Sequence, residues 1–174
     1  MKKTASFFPR SGYTFKKWKN NRKVSKEKFI KLALEEAEKA LKEGEVPVGC
    51  VIVKGNQVIS AAHNEVERRK DPTAHAEILA IRKATERLGK KFLTDCEAFI
   101  TLEPCVMCSY AFVLSRISKI TFLAPDKKHG GVISLFSILD EPLLNHKVKW
   151  EYYPVERASE LISEFFKNLR GKIH

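Results

Sequence analysis

Two short groups of residues in the middle of this sequence could perform chemistry together. His75-Ala76-Glu77 places an imidazole two residues before a carboxylate, and Cys105-Val106-Met107-Cys108 places two thiols three residues apart. One imidazole and two thiolates form a three-ligand set for zinc. Structural zinc sites nearly always use four protein ligands, whereas three leave a position for a water molecule whose pKa the metal lowers toward neutrality. These residues therefore predict a hydrolytic zinc site in which Glu77 moves protons without being a ligand.

Local signals place both groups at the starts of helices. Asp71-Pro72 and Pro104 each predict a helix start just ahead of one group. His75 and Glu77 do not share a face in mid-helix, so they can converge only at a helix mouth. Helix N-termini also favour thiolates through the dipole and the free N–H groups. Each motif alone is weak, since a C-x-x-C pair also fits a redox centre or half of a structural zinc site. Their combination favours catalytic zinc.

The elements that must position these residues alternate between helix and strand. Apolar periodicity predicts helices at about 25–43, 71–88, 104–114 and 155–169, a short buried helix at 132–139, and strands at 46–53, 57–62, 96–102, 119–123 and 148–153. Strands separated by helices need crossover connections, so the later strands should be parallel in one sheet covered on both faces. Cys50 and Cys96 lie within strand patterns and are expected to be small buried residues.

Composition indicates one globular domain outside any membrane. The chain has 174 residues, of which 44% are hydrophobic and 30% charged. No apolar run approaches the ~18–20 residues that a membrane span needs. The N-terminus lacks the apolar segment of a secretory signal peptide. Four cysteines are too few and too unevenly placed for a disulfide framework, which favours a reducing, cytoplasmic compartment.

Nearly all of the net charge of +11 belongs to one end of the chain. Residues 1–26 hold nine of the 32 Lys and Arg residues and no acid, so the remainder carries 23 basic against all 21 acidic residues. Residues 1–24 show no sustained periodicity and are interpreted as a basic arm ahead of a domain at 25–174. A polyanionic partner is suggested. A solvated flexible extension and a short organellar targeting peptide remain open alternatives for the arm.

The H-x-E and P-C-x-x-C pair is the signature of zinc nucleobase deaminases, and the surrounding sequence resembles the bacterial tRNA-specific adenosine deaminase family. The motifs that carry the resemblance are Val46-Pro47-Val48-Gly49, His63-Asn64, Asp71 to Glu77, Thr101 to Cys108, Ser115-Arg116-Ile117 and Asn145-His146. The likeness runs from about residue 26 to 171. It implies a cytidine-deaminase-like fold, a three-layer α/β/α sandwich around a five-stranded mixed sheet, and a homodimer that binds the anticodon stem-loop of a tRNA.

The resemblance also assigns roles to individual residues. It implies that His75, Cys105 and Cys108 bind one Zn²⁺ per subunit and that Glu77 carries protons to the adenine ring and the departing ammonia. Asn64 matches a position that hydrogen-bonds the target base, and Asp126 matches a loop position near the nucleotide backbone. Further candidate RNA contacts are Lys127, Lys128 and Arg170 for phosphates and Phe166, or its neighbour Phe165, for base stacking.

Two other functions remain open at this point. A deaminase of a free nucleobase or nucleoside would share the zinc motif, but a small neutral substrate does not require a basic arm. A non-catalytic, zinc-stabilised RNA-binding subunit would account for the arm, but it has no use for Glu77 beside an open zinc position.

The composition of the arm generates a prediction. Its cations are interleaved with Phe7, Phe8, Tyr13, Phe15 and Trp18, a combination suited to looped RNA. Deletion of residues 1–24 should weaken tRNA affinity and flatten its salt dependence, by about 0.7–0.9 in the log–log slope per lost phosphate contact. The single-turnover rate at saturating RNA should stay nearly constant. An unchanged salt slope in a filter-binding titration would identify a passive tail.

Overall fold

The structure is a computed structural model that describes residues 20–171, with side chains from Lys26 onward. Its strands are β1 (Gly49–Lys54), β2 (Gln57–His63), β3 (Glu97–Ile100), β4 (Lys119–Phe122) and β5 (Lys149–Tyr152). Its helices are α1 (Asn20–Lys42), α2 (Val66–Arg69), α3 (Ala76–Leu88), α4 (Val106–Leu114) and α5 (Glu156–Gly171), with a 3₁₀ turn at Ile138–Asp140. No helix in this part of the chain combines the length and apolarity needed to cross a bilayer.

The five strands form one mixed sheet in the order β2-β1-β3-β4-β5. β1 is antiparallel to both of its neighbours, and the hairpin to β2 turns at Gly55, whose φ is +57°. β3, β4 and β5 are parallel, with Ile100, Phe122 and Tyr152 side by side at one edge of the sheet. The predictions of a mixed five-stranded sheet and of parallel later strands are confirmed.

Side-chain alternation along β1 divides the core into two layers. Cys50 and Ile52 point into a cluster with apolar residues of α3 and α4. Val51 and Val53 point the other way, into a cluster with residues of α1 and α5. A strand that is buried on both faces reads as a continuous apolar run, as this one does. The predicted three-layer α/β/α sandwich is confirmed, and both Cys50 and Cys96 are fully buried.

Gly49 lets α1 lie directly against β1. A Cβ at this position would stand 2.0 Å from the carbonyl oxygen of Ala33 and 2.7 Å from the backbone nitrogen of Ala37. The backbone nitrogen of Gly49 also donates to the Thr101 hydroxyl, 3.0 Å away, next to the segment that leads out of β3. This close approach fixes the position of α1 on the face of the sheet opposite α3 and α4.

Two predicted helix starts are displaced. α1 is helical from Asn20, ahead of the predicted start at Ser25, which agrees with the good helix propensity of Arg22 and Lys23. A deletion of the arm that spares α1 therefore ends at residue 19; residues 1–19 lie outside the described part of the chain. α3 begins at Ala76 rather than Asp71. The Asp71 carboxylate accepts hydrogen bonds from the backbone and hydroxyl of Thr73, which forms a local turn instead of a helix.

The predicted buried helix at 132–139 is wrong. Residues 131–134 form turns, and the helical part is limited to a 3₁₀ turn at Ile138–Asp140. Leu135 is 55% exposed and Phe136 is 50% exposed, so these apolar side chains are not buried. The backbone N–H groups of Val132, Ile133 and Ser134 point to a single carboxylate oxygen of Glu103. These three N–H groups are thus satisfied by a distant side chain, and the segment that contains them forms turns instead of a continuous helix.

Candidate metal centre and active site

The H-x-E motif and the C-x-x-C motif lie close together, each at the N-terminus of a helix. His75 is the N-cap residue of α3, and Cys105 is the N-cap residue of α4, with Cys108 in the first turn. Their ligand atoms all lie within 4.8 Å of one another. The Nδ1 atom of His75 is 3.7 Å from the Sγ of Cys105 and 3.6 Å from the Sγ of Cys108. The predicted convergence of these three side chains is confirmed.

The donor set fits zinc. It combines one borderline nitrogen with two soft sulfurs, the ligand types that bind Zn²⁺ in tetrahedral sites. Among residues 20–171 this is the one group of three or more His, Cys, Asp and Glu side chains with ligand atoms so close together. Three protein ligands leave a fourth position for water or substrate.

The two thiols have opposite protonation tendencies. The hydrogen bond from the Cys108 thiol, together with the one from His75, lowers the pKa of Cys105 to about 4. The same hydrogen bond and burial raise the pKa of Cys108 well above its usual value. The pKa of His75 is raised, first by its hydrogen bond to Cys105. The lowered pKa of Cys105 favours the thiolate form in which a cysteine binds zinc.

Glu77 lies in the first turn of α3, with only 4% of its surface exposed. Burial raises its pKa to about 7; the Cys105 thiolate adds to the rise, while His75 and Cys108 oppose it. A carboxyl with a pKa near neutrality can both release and accept a proton. Its position at the helix mouth places it beside the metal ligands, as the spacing of the motif predicted.

Asn64 supplies the cap that His75 does not. The side chain of His75 makes no capping hydrogen bond to its own helix. Instead the Oδ1 of Asn64 accepts from the backbone nitrogen of Ala76 at 2.8 Å, and the Asn64 backbone nitrogen donates to Val48. The imidazole is thereby free to turn toward the thiols. With Oδ1 occupied, the amide NH₂ is the group that Asn64 can offer to another partner.

Glu103, two residues before Cys105, is a buried residue near the cluster for which no sequence motif predicts a role. Only 2% of it is exposed, and its carboxylate accepts hydrogen bonds from three consecutive backbone nitrogens, from the backbone nitrogen of Asp126 and from the hydroxyl of Ser134. The sequence signal that could have indicated this buried carboxylate is its position, directly after an apolar strand and directly before Pro104.

The loop after β4 presents the other candidate contacts. The Oδ1 of Asp126 accepts from the backbone nitrogens of Lys128 and His129 at 3.0 and 3.2 Å, so this carboxylate organises its own turn. Lys127, Lys128 and His129 are exposed at the tip. The antiparallel bridge between Cys105 and Gly130 places this loop against the ligand turn.

The remaining candidate RNA contacts lie on α5, which does not carry any of the three candidate metal ligands. Phe166 and Arg170 are exposed, whereas Phe165 is half-buried; the two phenylalanine rings pack edge to face with centroids 5.3 Å apart. α5 packs beside α1, where Arg157 pairs with Glu38. Within the described residues, no hydrogen bond or ion pair joins Phe166 or Arg170 to the metal-ligand cluster.

Comparisons with known proteins agree with this geometry. A family described as the cytidine and deoxycytidylate deaminase zinc-binding region matches residues 23–124. A tRNA-specific adenosine deaminase of Aquifex aeolicus is 65% identical over 150 residues, which are 86% of this chain and 99% of that protein. One from Bacillus subtilis is 40% identical over 84% of this chain and 91% of its own length. A solved structure from work on A-to-I editing by tRNA:A34 deaminases at the wobble position has a TM-score of 0.75 and 37% identity, and covers 78% of this chain and 99% of its own.

The ligand geometry generates a prediction about metal content. Cys108→Ala removes one of three converging donors and should lower the zinc that co-purifies with the protein, as measured by inductively coupled plasma mass spectrometry. Cys96→Ala is the matched control, because it removes an equally buried cysteine that is not in the cluster. Equal zinc content in the two variants would show that Cys108 is not a ligand.

Proposed function

The chain belongs to the cytidine and deoxycytidylate deaminase family, and we propose that it converts adenosine to inosine at the wobble position of a tRNA anticodon by hydrolytic deamination. The observation that carries the chemistry is the cluster of His75, Cys105 and Cys108 beside the buried carboxyl of Glu77. The proposed substrate is supported by the 65% identity to a tRNA-specific adenosine deaminase, which extends over 99% of that protein's length.

We assign the reaction roles as follows. Zinc held by these three residues would supply the Lewis acidity that activates water for hydrolysis. Glu77 would take up a proton from the water that attacks C6 of adenine and deliver it to the ring nitrogen N1. It would then pass the second proton of that water to the amino group, which leaves C6 as ammonia. Its pKa of about 7, raised by burial, suits both transfers near neutral pH. The enclosing helix mouths keep bulk water away from this carboxyl.

We propose that Asn64 holds the flipped base. Its Oδ1 is engaged by the Ala76 backbone nitrogen, which orients the carboxamide and leaves its NH₂ as a donor. A donor fixed next to His75 can bond an acceptor nitrogen of the purine. The same side chain would then secure both the start of α3 and the substrate.

We propose RNA contacts on the turn after β4 and on α5. Lys127 and Lys128, exposed on the turn that Asp126 organises, would meet phosphates of the anticodon loop. Phe166 would stack on a neighbouring base, and Arg170, one helical turn further along α5, would meet the backbone. The basic arm would add sequence-independent attraction through its cations. Loop nucleotides are already unstacked, so flipping one of them costs little.

We also propose a homodimer with one zinc ion per subunit in a reducing compartment. Val106, Tyr110 and Leu114 follow one another at four-residue spacing on α4 and are 39%, 45% and 62% exposed. A stripe of this kind on a helix is typical of a protein–protein interface, and a second copy of the chain is the proposed partner. All four cysteines are free, and the two that are proposed as ligands must stay reduced to bind metal.

The proposed function is tested with synthetic anticodon stem-loops that carry adenosine at the wobble position. The purified protein should form inosine in these RNAs, detected by mass spectrometry of nucleosides, and should act poorly on free adenosine, cytidine and guanine. Glu77→Gln should retain zinc and RNA binding while turnover falls by about 10²–10⁴-fold, because the proton carrier is lost.

Two results would contradict the proposal. Comparable catalytic efficiency on a free base or nucleoside would identify a small-molecule deaminase. RNA binding without inosine formation in the zinc-loaded wild-type protein would identify a binding subunit.

Asn64→Asp separates the two roles of Asn64. Aspartate can still accept from the Ala76 nitrogen and cap α3, so thermal stability and zinc content should stay near those of the wild type. It lacks the NH₂ donor, so kcat/KM on the stem-loop should fall by at least about tenfold. Asn64→Ala should lose stability as well. If Asn64→Asp keeps wild-type kcat/KM, Asn64 serves only to cap the helix.

A further inference from the structure

We infer that Glu103 is a positioning residue that holds the RNA-facing loop at 126–134 in register with the metal-binding turn. The inference rests on the proposed function, which assigns that loop to RNA. Glu103 does not reach the reacting atoms itself; its carboxylate is directed into the loop.

The carboxylate has no other role that the structure reveals, and its burial is costly unless it is fully hydrogen-bonded. Its Oε1 accepts from the backbone nitrogens of Val132, Ile133 and Ser134 at 3.1, 2.8 and 2.9 Å. Its Oε2 accepts from the backbone nitrogen of Asp126 at 2.9 Å and from the Ser134 hydroxyl. These five charge-assisted bonds span both ends of the loop.

The loop has little regular structure that could fix its path otherwise. Residues 127–129 and 131–134 form turns, and the loop carries one isolated bridge, at Gly130. Gly130 and Gly131 admit the close contact. A Cβ on Gly130 would stand 2.4 Å from the Glu103 carboxyl carbon, and one on Gly131 would stand 2.9 Å from the Cys105 carbonyl carbon. The loop is therefore packed on the same turn that carries the metal ligand.

The arrangement joins two parts of the site through one side chain. Glu103 lies two residues before Cys105, and the Asp126 backbone that it holds precedes the exposed Lys127 and Lys128. A shift of the loop would move the lysines relative to the metal ligands without removing either. The consequence is a defect in RNA positioning rather than in metal binding or proton transfer.

Glu103→Gln tests this, because glutamine keeps one acceptor oxygen but places an NH₂ against the remaining donors. We expect KM for the stem-loop to rise about tenfold, with kcat within about threefold of wild type and zinc content unchanged. Hydrogen exchange of the amides at 132–134 should accelerate. Gly130→Ala, which leaves the carboxylate intact but pushes the loop away, should raise KM in the same manner.

Glu45→Gln is the matched control. Glu45 is an equally buried carboxylate, but it accepts hydrogen bonds from the backbone nitrogens of Glu67 and Arg68 rather than from the loop at 126–134. Its KM should stay within about twofold of wild type. The inference is overturned if Glu103→Gln leaves KM or amide exchange unchanged, or if it loses zinc. It is also overturned if Glu45→Gln raises KM by an equal factor. A wild-type protein that is inactive on the stem-loop would instead overturn the proposed function.

Discussion

The site depends on two helices that begin at the same place. His75 and Cys105 occupy N-cap positions, where a side chain normally bonds its own helix, yet both point at a shared centre instead. This arrangement concentrates the positive ends of two helix dipoles on a thiolate. It also removes the usual caps, so the free backbone groups need partners from elsewhere. Asn64 provides one for α3, and the loop packed on Cys105 encloses the start of α4.

Buried carboxylates hold several of the connecting segments of the chain. Glu45 holds the first backbone nitrogens of α2, Glu65 pairs with Arg68 and Arg69, and Glu103 holds the loop after β4. Each is at most 4% exposed. These connecting segments are thus held by ionic hydrogen bonds as well as by apolar residues such as Val132, which is buried in the core. Such bonds stabilise one loop path over others, since a misplaced loop would leave a buried charge without donors.

The sequence predicts the parts of this architecture that have local signals. The meeting of His75, Cys105 and Cys108, the position of Glu77 beside them and the alternation of helices and strands follow from motif spacing and apolar periodicity. The cap from Asn64 and the bonds to Glu103 do not, because the partners are 12 residues apart in the first case and 23 to 31 apart in the second. The apolar run at 132–139 predicts a helix, since an apolar pattern alone cannot reveal an acceptor that lies outside the run.

The ion pair between Lys26 and Glu151 joins residues 125 positions apart, and Arg157 reaches Glu38 across 119. The three candidate metal ligands, the Asn64 cap and the loop held by Glu103 all lie between residues 64 and 134. During synthesis the central segment therefore emerges before the elements that close the layer of α1. α1 is the first of the described elements to be synthesised, yet its ion pairs with Glu151 and Arg157 can form only after β5 and α5 have been made. Its packing against β1, which follows directly in the sequence, does not depend on these elements, so only the peripheral ion pairs of α1 are contacts between distant parts of the chain.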